Sequence, residues 1–179
     1  MMAKLPHRTP PSTDGLLTSR TILALDPGET TGYVLARWTR LAGPYPAMLY
    51  WGQWKGMDDL HSHISLFSKA DVCVVESYRV YPGTVSAHTT SDLYTAREIG
   101  RIEWICHLNN VKLVLQNASK AKQTWPNQRL RRLLDSELLT WPVPLPSPRQ
   151  VRKHTFDAIR HLMTYMEWFT GDTAWTRED

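Results

Sequence analysis

The stretch from Ile22 to Leu35 constrains this chain more than any other. Ile22-Leu23-Ala24-Leu25 is an apolar run that ends on Asp26 and turns through Pro27-Gly28. It then passes Glu29-Thr30-Thr31-Gly32 and resumes as a second apolar run at Tyr33-Val34-Leu35. The pattern predicts a β-hairpin whose first strand delivers Asp26 at its carboxyl end. Pro27 presets its own φ, Gly28 and Gly32 permit positive φ, and Thr30-Thr31 suit the return strand. A carboxylate at the end of a buried strand is costly unless a cation neutralises it, so a metal ion or an Arg or Lys partner is expected there. A solitary Asp-Pro-Gly also caps ordinary turns, and the rest of the chain decides between the two.

The elements that follow alternate. Thr21 to Asp26 and Tyr33 to Trp38 read as the first two strands, and the aromatic-rich Ala47 to Lys55 as the third strand of a meander. Leu60, Ile64 and Phe67 fall at helical spacing within a helix from Met57 to Ser68. Asp71 to Glu76 is short, β-branched and without alternation, the pattern of a strand buried on both faces. It too ends on a carboxylate. Ser91 is placed to cap a helix from Asp92 to Leu108, followed by a strand at Lys112 to Leu115. A helix is expected from about Asn127 to Leu139. The Pro-rich Trp141 to Pro148 is a stiff connector, and Pro148 at a first helical position opens a last helix from Arg149 to about Phe169.

The expected fold is α/β: a mixed five-stranded sheet, three strands in antiparallel meander plus two parallel strands, with helices on both faces. In 179 residues this makes one domain over 21–168, flanked by a flexible N-terminal tail (1–20) and a C-terminal tail (169–179). The net charge is +4, mild overall but favourable to phosphate wherever the cations cluster. Cys73 and Cys106 form neither a disulfide framework nor a zinc spacing, so buried thiols in a reducing, cytoplasmic setting are expected. No apolar run is long enough for a membrane span, and residues 1–20 lack the apolar core of a secretory signal.

The chemistry gathers at three places. Asp26 closes the first strand, Glu76 closes the fourth, and the last helix carries His154 and Asp157, three apart and so on one face, with Arg160 and His161 extending that face. Were strands one and four parallel neighbours, Asp26 and Glu76 would emerge at one edge, where a packed C-terminal helix brings the other pair. Clustered carboxylates repel one another, and hard divalent cations are their natural filling. Two such ions support phosphodiester hydrolysis. His154 is a ligand, a general base or an electrostatic partner in that scheme. His161 is a candidate for supporting the ligands from behind. Glu29 is expected to solvate the hairpin, and His61 and His63 to lie on the surface of their helix.

The set Asp26-Pro-Gly with Thr31-Gly32, Val74-Val75-Glu76, and His154-x-x-Asp157-Ala158 resembles the RuvC-like Holliday junction resolvases of the ribonuclease H-like superfamily. More narrowly it is similar to phage-encoded and thermophile-type members, which have His rather than Asp at the first position of the last pair. The resemblance runs from about Thr21 to about Tyr165. It implies that Asp26, Glu76, His154 and Asp157 are both metal ligands and catalytic residues, holding magnesium or manganese, two ions per site. It further implies a homodimer, joined through the helix Asp92 to Leu108, that nicks a four-way junction symmetrically. A bacterial virus as source, and hence the cytoplasm of its host, is part of the same implication.

Two features suit DNA. Between Ser119 and Lys153 the chain carries Lys120, Lys122, Arg129, Arg131, Arg132, Arg149, Arg152 and Lys153 against Asp135 and Glu137, a cluster suited to phosphate contacts. By resemblance, Lys120 or Lys122 stabilises the transition state. The loop after Glu76 holds Tyr78, Arg79 and Tyr81, and by resemblance Tyr78 or Tyr81 stacks at the junction centre. An actin-like ATPase requires a second phosphate-gripping hairpin and a second lobe, which 179 residues do not hold, so no nucleotide cofactor is expected. A ribonuclease H-like nuclease for flaps, branches or structured RNA, or a junction-binding protein without catalysis, are the alternatives.

Overall fold

The computed structural model describes residues 19–40, 45–77, 90–136, 139 and 151–170. Its elements run β1 (Ser19–Asp26), β2 (Thr30–Thr39), β3 (Ala47–Lys55), α1 (Gly56–Phe67), β4 (Val72–Ser77) and α2 (Thr90–Leu108). They continue with β5 (Lys112–Asn117), α3 (Ala118–Thr124), α4 (Asn127–Asp135) and α5 (Lys153–Thr170). The sheet order is β3-β2-β1-β4-β5. β1–β2 and β2–β3 are antiparallel, as the meander requires, while β4 runs parallel to both β1 and β5. The expected mixed five-stranded sheet is present.

Register places the acids. Leu25 pairs with Val75 across the parallel β1–β4 ladder, so one residue further on Asp26 and Glu76 leave the sheet side by side at its carboxyl edge. Alternation then divides the strands between two cores. Ile22, Ala24, Val72 and Val74 face α5, meeting Ala158, Ile159, Leu162 and Met163. Leu23, Leu25, Cys73 and Val75 face the opposite side, meeting Leu60, Phe67, Ile102 and Cys106. Both cysteines are buried free thiols, as expected.

Helix α5 is held over the sheet by apolar burial, each large side chain contributing roughly 1.5–3 kcal/mol. One strand residue fixes how closely it approaches. A β-carbon at Gly32 would lie 2.0 Å from the His154 carbonyl carbon and 2.5 Å from the Thr155 nitrogen. Thr155 Oγ1 meanwhile donates to the Gly52 carbonyl at 2.8 Å. Gly32 is therefore needed for close approach rather than for positive φ. It pairs directly with Asp26 across the hairpin, so the hairpin that carries the acid on β1 also seats the first turn of α5 on β2.

Several element boundaries differ from expectation. β1 begins at Ser19, two residues into the anticipated tail. Helix α2 begins at Thr90, which puts Ser91 within the helix rather than at its cap. α3 occupies a stretch with no assigned element, and Asn117 caps it by accepting from the Lys120 amide at 3.2 Å. α4 stops at Asp135 instead of Leu139, because Ser136 takes an extended conformation and turns its hydroxyl onto the Leu133 carbonyl at 2.7 Å. α5 starts at Lys153, with the Arg152 carbonyl accepting the Phe156 amide, four residues later than Pro148 implied. Pro148 and Arg149 themselves lie outside the described residues.

Candidate active site

Asp26, Glu76, His154 and Asp157 are brought together at the carboxyl edge of β1 and β4, beneath the first turns of α5. His154 Nδ1 stands 2.7 Å from Asp26 Oδ2. Asp26 is only 8% exposed. Burial pushes its carboxyl upward; the hydrogen bond from His154 works against that, while the charges of Glu76 and Asp157 push it further up. The bond to Asp26 in turn raises the His154 imidazole, against partial desolvation. For Glu76, burial is outweighed by the hydrogen bond from His161, a hydrogen bond to Asp26 and the charge of Lys122, so its carboxyl is held low.

Each acid has its own basic partner. Glu76 Oε2 meets His161 Nε2 at 3.0 Å. Asp157 Oδ1 accepts from Arg160, whose guanidinium also reaches Asn127 Oδ1 and, through Nε, the Trp125 carbonyl at 2.9 Å. At 2% exposure, Arg160 is a buried cation that Asp157 neutralises. Among the described residues, no three His, Cys, Asp or Glu side chains stand in ready coordination geometry. The donor set nonetheless suits a hard divalent cation. Three carboxylates and an imidazole converge, and the pair Asp26 and Glu76 interacts directly, an arrangement whose mutual repulsion a bound cation relieves.

Beside Asp157 a cavity of about 800 Å³ is lined by Lys122, Asn127, Arg131, Lys153, Phe156 and Arg160. Of the basic residues expected to bind DNA, Lys122, Arg131 and Lys153 thus gather next to the acids. Lys120 does not: its Nζ lies over the Trp168 ring, 4.1 Å from the centroid. Arg129 stacks at 3.8 Å on Trp125, donates to the Thr124 carbonyl and pairs with Glu167. Arg132 and Arg152 are exposed outside the cavity lining. Tyr78, Arg79 and Tyr81 lie outside the described residues.

Glu29 pairs with Lys55 at 3.3 Å on the surface, as expected for a hairpin acid. His63 departs from expectation: it is half-buried against Tyr33 and Trp54, with ring centroids 5.1 and 5.4 Å away. Sequence reasoning missed Glu98, a buried acid on α2 that accepts from Trp54 Nε1 at 2.9 Å, Arg101 at 3.1 Å and Thr31 Oγ1 at 3.5 Å. It ties α2 to the hairpin that follows Asp26.

The three-strand meander, the parallel β4 and β5, and the helix closing over the β1–β4 edge define an α/β fold of the ribonuclease H-like, RuvC type. No protein family and no curated protein matches the sequence. Solved structures do match. T. thermophilus RuvC in complex with a Holliday junction substrate is similar at TM-score 0.59 and 13% identity, over 85% of this chain and 96% of that one. The yeast mitochondrial Holliday junction resolvase is similar at TM-score 0.55 and 12% identity, over 83% and 78%. The fowlpox virus Holliday junction resolvase is similar at TM-score 0.54 and 10% identity, over 83% and 99%. Among the described residues no helix is long and apolar enough to cross a membrane.

Proposed function

We propose that this protein is a divalent-metal-dependent, structure-specific endodeoxyribonuclease that resolves four-way DNA junctions by paired symmetrical nicks. The observation that carries the reading is the convergence of Asp26, Glu76, Asp157 and His154 at one edge of a fold shared with Holliday junction resolvases. Asp26, Glu76, Asp157 and His154 would hold the metal, magnesium or manganese, as two ions, which would supply Lewis-acid activation of a water and stabilisation of the leaving oxygen of the phosphodiester.

The other roles fall to the chain itself. Lys122, whose charge acts on Glu76 and which lines the cavity beside Asp157, is the cation placed to meet charge developing on the scissile phosphate. Arg131 and Lys153 on the same cavity hold neighbouring phosphates, which position the strand without reading its sequence. His154 Nδ1 lies at hydrogen-bond distance from Asp26 Oδ2, and as a metal ligand it would have to give up a proton held there. A second copy of the chain supplies the second nick. Helix α2 offers the surface for it, with Leu93, Trp104 and Leu108 exposed by 65%, 62% and 65%.

The test is strand cleavage of a labelled synthetic four-way junction beside a linear duplex and a flap, in magnesium and in manganese. Paired nicks near the crossover, dependent on metal and absent from the duplex, are expected. The Asp26→Asn variant should lose cutting while keeping junction affinity, because phosphate contacts elsewhere supply it. Equal cutting of flaps makes the protein a general branch nuclease. Binding without cutting in either metal removes the catalytic reading.

A further inference from the structure

His161 is fully enclosed beside Glu76, and nothing in the reaction proposed above uses it directly. It is 1% exposed, and both ring nitrogens are engaged. On one side lies Gln116 of β5, itself buried at 3%. The amide orientation that satisfies all its neighbours turns the Gln116 nitrogen toward the ring. There it donates to His161 Nδ1 at 2.9 Å and to the His161 carbonyl at 3.2 Å, while its oxygen accepts from the Tyr165 amide at 3.2 Å. An amide nitrogen cannot accept, so His161 Nδ1 is the acceptor and the ring proton sits on Nε2. Nε2 faces Glu76 Oε2 at 3.0 Å. The direction of the whole chain is therefore fixed: Gln116 donates to His161, and His161 donates to Glu76.

We propose that His161 is a positioning residue for Glu76, its Nε2–H engaging Oε2 so that Oε1 is the oxygen Glu76 turns toward a bound divalent cation. The inference rests on the metal-site reading of Glu76 given above. A carboxylate near the end of a strand has free rotation about its side-chain torsions, and a donor anchored from behind removes that freedom. Gln116 stands on β5, which pairs in parallel with the β4 strand that carries Glu76, and His161 stands on α5. Outer-layer hydrogen bonds of this kind orient a ligand before the ion arrives and raise affinity without touching it.

The test is Mn2+ binding to the full chain, followed by the electron paramagnetic resonance of the free ion, in wild type, Asp26→Asn, His161→Leu and His161→Gln. Leu fills the space without a donor, whereas the Gln amide nitrogen falls near where Nε2 was. Positioning predicts that His161→Leu weakens Asp26-dependent Mn2+ binding by roughly 10–100-fold and that His161→Gln restores most of it. Unchanged binding in His161→Leu, with the Asp26 dependence intact, overturns this inference alone. Mn2+ affinity that is indifferent to Asp26→Asn overturns the metal-site reading and this inference together. Should His161→Leu fail to fold, the tautomer decides. Nitrogen-15 NMR of the metal-free wild type is expected to show an unprotonated Nδ1 and a protonated Nε2, and a protonated Nδ1 overturns the proposal.

Discussion

Gly32 and His154 touch backbone to backbone: a single added methyl on Gly32 would sit 2.0 Å from the His154 carbonyl carbon. The contact joins residues far apart in the chain and sets the height at which α5 crosses the sheet. It also sets the separation between Asp26, paired with Gly32 in the hairpin, and the imidazole that meets it at 2.7 Å. Neither partner can yield cheaply, since both are main chain. Gly32→Ala should therefore cost about 2–4 kcal/mol, lowering the melting temperature by roughly 5–12 °C, and should abolish cleavage even where the protein remains folded. Thermal denaturation beside the junction assay measures both. A variant that melts and cuts like wild type would show that α5 is not seated by this contact.

The two lysines of α3 separate by geometry. Lys122 lines the cavity beside Asp157 and acts on Glu76, whereas Lys120 lies over Trp168. Lys122→Ala should reduce the single-turnover cleavage rate by about a hundredfold or more with a smaller change in junction affinity. Lys120→Ala should leave the rate within about threefold and cost at most about 1 kcal/mol of stability through the lost ring contact. Equal losses of rate in both variants would contradict the distinction.

How much of this was legible from sequence differs by the range of the interaction. Asp26 and Glu76 could be found because each terminates an apolar run, and strand ends are local signals. His154 and Asp157 could be found because a spacing of three places them on one helix face. Which partner each acid takes could not, because it depends on elements remote in sequence. Arg160 reaches Trp125 and Asn127, 35 and 33 residues away, and His161 reaches Gln116, 45 away. Glu98 was invisible for the same reason: its partners Trp54 and Thr31 lie 44 and 67 residues back, on strands. The short α3 did carry a local signal, Asn117 before an Ala- and Lys-rich turn, and the cap explains it afterwards. The start of α5 misled because proline favours a first helical position without requiring one.

Helix α2 exposes Leu93, Trp104 and Leu108 on the side away from the core, while its buried Glu98 ties it to the hairpin beyond Asp26. A tryptophan more than half exposed is a strong candidate for the centre of a protein interface. Trp104→Glu should convert a dimer to a monomer by sedimentation velocity, leave the melting temperature within a few degrees, and uncouple the two nicks so that single-nicked junctions accumulate. A wild-type chain that sediments as a monomer at micromolar concentration would remove α2 as the interface.

The pairing of His154 with Asp26 gives the metal-free protein a pH dependence of definite sign. The imidazole is raised above its ordinary value of 6.5, chiefly by the hydrogen bond to Asp26. A group raised on folding adds stability that is fully present below its unfolded value and is lost as pH rises through its folded value. The raised carboxyl of Asp26 acts in the same direction, since burying its charged form costs more as it ionises. With chelator present, the melting temperature should fall as pH rises above about 6.5, and only modestly for the His154 part, because that side chain is 37% exposed and solvent screens it. His154→Gln should flatten this segment of the curve. Saturating magnesium or manganese should reverse it, because the cation competes with the proton at His154 and binds more tightly as pH rises. A metal-free melting temperature that climbs across the same interval, unaffected by His154→Gln, would mean that the imidazole does not hold its proton against Asp26.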